Sequence, residues 1–426
     1  MLAAAVVFLL CLILGVPIAF CLGVSSVVFL SFTKGLFLGI VAQRMFTGVD
    51  SFPFMAIPFF ILAGELMNAA KITDKLVGFA DIIVGRLKGG LAHVNIVTNM
   101  FFAGVSGSAV ADASAIGSFL IPMMKEKGFD DDFSAAVTAS AAVMGPIIPP
   151  SIPMVIYGLI TGTSVGALFL SGFIPGVVVG FGLMGVAYVI ARKRKYPTRE
   201  RRLTLHEISK ITLLALVPLF MPVIILGGIL GGIFTATEAS AVAVAYALLI
   251  GFFAYRTLEL KVLPEIFISA AKTTGVVFLA IACSNIFNWA LVIEGMPQTM
   301  AAFATKHIHS TWVLLMAINI FLLFLGCLMD ATAIMLITVP TLIVITNQFG
   351  ISPVHFGCIV VLNLMIGLIT PPFGLCLFIG CGIARINLET IVKAIWPFLI
   401  VEVIVLLLVT YVEPVSMFIP RLFGFA

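Results

Sequence analysis

The chain interrupts its own apolar segments at matching places in its two halves, which rules out a bundle of plain spans. Asp112-Ala113-Ser114-Ala115-Ile116, with Pro122 following, recurs as Asp330-Ala331-Thr332-Ala333-Ile334 with Pro340 following. Further on, GPIIPP from Gly145 to Pro150 recurs as GLITPP from Gly367 to Pro372, and at the same offset Gly158 meets Gly380 and Pro175 meets Pro397. Internal repeats with broken hydrophobic segments at corresponding positions point to a secondary transporter and to its binding site.

Composition places the chain in lipid. Of its 426 residues 62% are hydrophobic and 10% charged, with a mean hydropathy of +1.25. A soluble domain is about half apolar and about a quarter charged, so the expected fold is an all-α polytopic membrane protein. The apolar N-terminus carries no basic region, which favours a retained first span over a cleaved signal. The net charge of +4 is concentrated in Arg192 to Arg202, which reads as a cytoplasmic loop under the positive-inside rule and not as a nucleic-acid patch. The seven cysteines lie in apolar stretches without metal-ligand spacing and read as small hydrophobes.

With Arg192–Arg202 cytoplasmic, the expected path is a span at 3–31, a helix along the cytoplasmic interface over 34–51, and spans at 53–70 and 73–88. Beyond the basic loop, spans are expected near 210–232, 236–255 and 271–293, with a second interfacial stretch at 257–268 and a last span near 386–412. This places both chain ends on the periplasmic side. Residues 92–124 and 311–346 are long, apolar and loosened in the middle, at Gly104–Ser108 and Gly326–Asp330. Each reads as a re-entrant hairpin, with two kinked full spans as the alternative. The two hairpins and the breaks that follow would run in opposite directions, giving inverted repeats.

A diproline removes two donors and blocks carbonyls one turn back, so each break must open a span. The freed carbonyls need protein, water or a cation. Carbonyls plus hydroxyls suit sodium, and Ser106, Ser108, Ser151 and Thr370 supply hydroxyls near the breaks. Helix halves ending at a break offer positive N-termini to an anion and negative C-termini to a cation. Asp112 and Asp330 fit two roles equally in kind: capping the second helix of a hairpin, or handling ions directly. Glu65, Glu238, Glu294 and Glu402 are expected near interfaces or helix contacts, and Asn285 with Asn288 in an interhelical contact. Hydrolase and zinc motifs fail on spacing: Gly104–Ser108 lacks the G-x-S-x-G order, and His206-Glu207 has no following histidine in register. The chain is therefore not expected to be an enzyme.

These residues resemble the large membrane subunit of the tripartite ATP-independent periplasmic (TRAP) transporters along essentially the whole chain. The stretches that carry the resemblance are GVSGSAVADASAIGSFLIPMM at 104–124, MGPIIPPSIPMVIYG at 144–158 and GGIFTATEASAVAVAYAL at 231–248, with GCLMDATAIMLITVP at 326–340 and GLITPPFG at 367–374. The resemblance implies an elevator-type carrier with scaffold and transport domains, acting in a bacterial inner membrane with a small four-helix membrane subunit and a soluble periplasmic substrate-binding protein. It implies scaffold at 1–88, a first transport half at 89–165 (hairpin 92–124, broken span 133–165), and scaffold at 166–293 with the basic loop 192–209 and arm 257–268. A second transport half follows at 294–384 (hairpin 311–346, broken span 353–380), then a C-terminal span at 385–426. It further implies one sodium ion near Ser106, Ser108, Gly145, Ile148 and Pro150, and a second near Gly326, Gly367, Thr370 and Phe373. The organic anion, such as a C4-dicarboxylate or sialic acid, is expected near Gly107, Ser108, Ser151, Asp112, Asp330 and Thr332. The residues alone leave open a stand-alone sodium/anion symporter or proton antiporter of the same architecture.

Overall fold

The computed structural model describes residues 2–32, 39–198 and 204–425. The chain runs α1 (Leu2–Ile13), α2 (Ile18–Phe32), α3 (Gly39–Val49), α4 (Ala56–Ala69), α5 (Ile72–Val84), α6 (Gly90–Ser106), α7 (Ala109–Glu126), α8 (Asp131–Ala142), α9 (Ile152–Thr161) and α10 (Val165–Lys193). It continues α11 (Leu205–Leu230), α12 (Ala236–Leu249), α13 (Leu263–Ile293), α14 (Met296–His307), α15 (Thr311–Gly326), α16 (Ala331–Gln348), α17 (Pro353–Gly367), α18 (Leu375–Ala384), α19 (Leu388–Tyr411) and α20 (Pro414–Leu422). The all-α expectation holds: among the described residues there is no strand, and seven helices are long and apolar enough to cross a membrane.

The 29-residue α10 is a ruler about 43 Å long. Its basic end carries Arg194, which pairs with Asp130 and Asp132 at 2.8 and 2.9 Å, beside the Lys125–Asp131 pair at 2.7 Å. The opposite end starts near Phe425, whose ring comes within reach of Gly166. At that far end Tyr157 Oη donates to Pro353 O at 2.8 Å, His355 Nδ1 and Ser416 Oγ share a hydrogen bond of 2.7 Å, and Trp312 stacks on Tyr411 at 4.6 Å. The first hairpin therefore has its base at the basic end and the second at the far end.

Both segments do double back. Asn95, one turn into α6, donates to Met124 Sδ at 3.9 Å near the end of α7. A single kinked span would hold those residues about 40 Å apart. The halves then correspond helix for helix: α8 packs on both arms of its hairpin as α17 packs on α15 and α16, and α7 packs on α18 as α16 packs on α9. Both breaks, 143–151 and 368–374, contain a cis diproline.

Several expectations about the remaining segments are corrected. The span at 3–31 is two short helices. Phe8 lies 6.0 Å from Phe287, and Phe29 and Leu30 pack on Ile286 and Ala290, so the chain reverses at Gly15–Pro17. Gly15 takes a φ of +74° there, and Pro17 blocks continuation of α1. The interfacial helix expected over 34–51 exists as α3, with residues 33–38 outside the described part, but it lies at the far end. Gly48 abuts Asn285, and Thr237 Oγ1 at the start of α12 reaches Phe52 O at 3.5 Å.

The span at 73–88 is also replaced. α5 has 13 residues, and both its ends stay at the basic end: Thr257 Oγ1 donates to Ala70 O at 2.8 Å, and Gly89 abuts Ala191. Its inverted counterpart is α14, which follows the far end of α13 and lies along α16. At 257–268, where an arm helix was expected, the structure has a turn and the first turns of α13.

Packing groups the helices into two sets. α10 and α19 pack on each other and on α8 and α17. One body holds α6–α10 and α15–α20; the other holds α1–α4 and α11–α13, with α5 and α14 bridging.

A candidate anion and cation site between the two bodies

A cavity of about 500 Å³ lies where both hairpin tips and the first break meet α4 and α13 of the other body. Its wall includes Gly107 and Ser108 from the first tip, Asp330 and Thr332 from the second, Pro146 and Ile152 from the first break, and Glu65 and Asn68 from α4. Thr273 and Val277 of α13 complete it. No lining residue is Arg, Lys or His.

Three helices begin on this cavity. Ser108 caps α7 by accepting from Ala111 N at 3.4 Å. Ser151 caps α9, accepting from Met154 N at 3.2 Å while its hydroxyl donates to Pro146 O across the break. Asp330 caps α16, accepting from Thr332 N and Ala333 N at 2.9 and 3.3 Å. The first residues of all three helices face the cavity, so their remaining N–H groups and positive helix ends point at it. An anion can be held there without a basic side chain.

The two aspartates, equivalent in sequence, take different roles. Asp330 is a cap. Asp112 lies one turn inside α7, fully buried, with Oδ1 accepting from Ser106 Oγ and Oδ2 without a donor. Gly145 of the first break presses on that carboxylate so closely that any Cβ would collide with it. Ser106, Asp112 and Gly145 therefore meet at one point, and Gly107 joins them at the tip. Gly107 has a φ of +64°, and a Cβ there would lie 2.7 Å from Pro150 O. Hydroxyl and carboxylate meet at this tip, with the Pro150 carbonyl close by against Gly107, oxygen donors of the chemistry a hard cation takes.

Of the residues expected around the first sodium ion, Ser106, Gly145 and Pro150 are thus brought to the first tip, with Ser108 on its cavity side. Ile148 points away, against Gly176 of α10. Around the second, Gly326 and Gly367 touch, a Cβ on Gly367 falling 2.7 Å from the Gly326 Cα. Thr370 Oγ1 donates to Ile366 O at 2.7 Å within the break, and Phe373 is exposed. Of the residues expected around the anion, Gly107, Ser108, Asp330 and Thr332 line the cavity, whereas Asp112 and Ser151 are buried behind its wall.

Other polar groups were not foreseen in these roles. Asn95 donates to Thr138 Oγ1 at 2.6 Å and accepts from Asn99, joining α6 to α8. In the other half Asn363 donates to Asn319 at 2.9 Å, and Asn319 donates to Thr410 at 2.9 Å, joining α17, α15 and α19. Asn residues within apolar helices were the available signal. Glu402 lies at a helix contact, fully buried within α19 where that helix packs on α8, α10 and α17, with no hydrogen-bond partner for either oxygen among the described residues. Glu65 lines the cavity, Glu238 closes a capping box with Thr235, and Glu294 is exposed at the end of α13. Asn285 and Asn288 do make interhelical contacts, to Gly48 and to Leu336 O at 2.9 Å.

Inverted hairpins around a cavity between two helical bodies define a secondary-transporter architecture. Residues 5–415 match the family described as tripartite ATP-independent periplasmic transporter, DctM component. The chain belongs to that family. It is 40% identical over 412 residues to the sialic acid TRAP transporter large permease protein SiaM of Vibrio cholerae, covering 96% of each chain. It is 38% identical over 384 residues to the C4-dicarboxylate TRAP transporter large permease protein DctM of Pseudomonas aeruginosa, covering 90% of each. Among solved structures, the fold is shared with the Alcanivorax borkumensis YdaH transporter, with a TM-score of 0.61 and 13% identity over 91% of this chain and 89% of that one.

Proposed function

We propose that this chain is the sodium-coupled large permease subunit of an importer for an organic anion handed over by a periplasmic binding protein. The observation that carries the reading is the convergence of three helix N-termini, from both hairpins and the first break, on one cavity without basic side chains. Sodium coupling is supported by the Ser106–Asp112–Gly145 cluster beside that cavity. A cation there would neutralise a buried carboxylate while the anion sits one turn away, so each would favour binding of the other.

The chain works by an elevator motion in this reading. The body carrying both tips slides against α4 and α11–α13, with α5 and α14 bracing the two ends. Close glycine contacts across the boundary suit sliding: Gly104 meets Pro222, and Gly64 meets the Ser106 carbonyl. Opposite hairpin bases give the two end states related geometry. The basic end is cytoplasmic, because Lys71, Arg86, Lys88, Lys125, Lys127, Arg192–Lys195 and Arg385 gather there. Both chain ends are then periplasmic. A small membrane subunit covers apolar scaffold surface, as the DctM-type architecture implies, and the site is in the bacterial inner membrane.

Uptake in proteoliposomes tests this. The chain is reconstituted with its small-subunit partner and offered radiolabelled sialic acid and succinate, with and without an inward sodium gradient and the binding protein. Accumulation requiring both sodium and the binding protein is expected. Uptake indifferent to the binding protein would move the chain to stand-alone symporters.

A further inference from the structure

The cavity has two chemically different walls. On the hairpin side lie the three helix N-termini. On the α4–α13 side lie Glu65, Asn68 and Thr273. Glu65 is half-buried and takes a single hydrogen bond, with Oε1 accepting from Ser269 Oγ at 3.2 Å. That leaves acceptor capacity on a carboxylate facing the cavity. Asn68, one turn along α4, adds an amide that both donates and accepts. The other acidic residue on the wall, Asp330, already accepts from two backbone N–H groups of its helix.

An occupant with one anionic head and a neutral, hydroxyl-bearing body matches both walls. Its carboxylate meets the helix ends, and its hydroxyls donate to Glu65 and exchange hydrogen bonds with Asn68. A dicarboxylate matches only one wall. Whichever carboxylate binds the helix ends, the other is pushed toward Glu65, and like charges at close range repel in a site partly removed from water. No lining cation offsets this. We propose that Glu65 makes the cavity selective for a hydroxylated monocarboxylate over a dicarboxylate, reading hydroxyls and rejecting a second carboxylate. This rests on the reading of the cavity as an anion site, and adds a substrate class and a residue that enforces it.

The test bypasses delivery by the binding protein. The complex of this chain with its small subunit is purified, and its thermal unfolding followed in sodium while gluconate or succinate is titrated. Gluconate is expected to stabilise the complex at concentrations at least about tenfold below succinate. Glu65→Gln is expected to remove most of that ratio by strengthening succinate. Asn68→Ala, on the exposed turn of α4, is expected to weaken gluconate and leave succinate unchanged, which keeps the proposal testable should the Glu65 variant unfold. Equal apparent affinities in the wild type, or a ratio that Glu65→Gln does not move, would overturn the selection. Stabilisation by succinate alone would overturn the selection and leave the anion cavity standing. A response to neither anion would overturn both.

Discussion

The two breaks share a sequence pattern and a backbone course, yet one is sealed and the other open. Residues 143–151 are all buried: Gly107 covers Pro150, Gly145 covers Asp112, and the Ser151 hydroxyl bridges to Pro146. In 368–374 Pro372 and Phe373 are exposed, and the only hydroxyl present, that of Thr370, turns back on its own helix end. The tips differ in the same sense. The first places a buried carboxylate behind a serine hydroxyl, whereas the second spends its carboxylate on a helix cap. Equivalent positions in an inverted repeat are thus not equivalent in chemistry. The first half holds a buried carboxylate under a serine hydroxyl, and the second contributes a glycine-to-glycine contact and a helix start.

This asymmetry can be broken most forcefully at Gly145. Gly145→Ala must displace the Asp112 carboxylate, and we expect sodium-dependent uptake to fall by at least about tenfold, the scale of losing a buried charge-assisted interaction. Sodium titration of uptake would read it, and wild-type sodium affinity in the variant would remove Asp112 from the ion cluster. Gly107→Ala ranks next. It combines a left-handed backbone with a 2.7 Å approach to Pro150 O, which predicts a loss of about 1–3 kcal/mol, seen as a lowered unfolding midpoint.

Removing Asp330 has a smaller expected effect. Asp330→Ala takes away an N-cap, a cost of about 1 kcal/mol, and Asp330→Asn should restore most of it because an amide oxygen still accepts. Failure of Asn to rescue would mean that Asp330 acts by charge, and would bring the second tip closer to the first. Smaller still is Thr370→Val, which removes one hydroxyl bond within a partly exposed break; we expect less than about 1 kcal/mol. A large loss of sodium response in that variant would place a cation at the second break.

The smallest effect concerns pH and lies outside the cavity. The Tyr196 hydroxyl, with Arg194, holds the Asp130 carboxyl below its usual range against the opposing effect of partial burial. A depressed carboxyl contributes stability above its unfolded value, and that contribution fades as pH falls through the folded one. The difference in unfolding midpoint between wild type and Tyr196→Phe should therefore be flat from neutral pH down to about pH 5 and shrink only below about pH 4. A difference that grows on acidification would contradict the assigned partners.

Much of this arrangement was legible in the sequence. Both hairpins, both breaks and their opposed directions followed from repeated Asp-Ala-Ser/Thr and diproline patterns, because helix breaking is local chemistry that the chain states directly. What misled was hydropathy over the first ninety residues. A run such as Leu2–Phe32 is apolar enough for one span, and Gly15 and Pro17 decide between a kink and a reversal only once α13 offers a surface for both halves. The short α5 likewise reads as a span until Thr257 and Ala191 are seen to hold both its ends on one side.

The candidate site divides along the same line. Residue type and spacing alone singled out Ser106, Ser108, Asp112 and Asp330, since serine and acidic groups inside apolar segments are costly and need a purpose. Only packing decided that Asp330 caps while Asp112 is sealed beneath Ser106, that Ser151 is consumed within its break, and that Glu65 on a distant helix faces the tips. Sequence determines where a helix must stop and which groups are left unpaired there. Tertiary structure determines what those groups then meet, because near and distant partners compete and packing selects among them: Gly145 closes over Asp112 from the first break, and Glu65 reaches the tips from another helix.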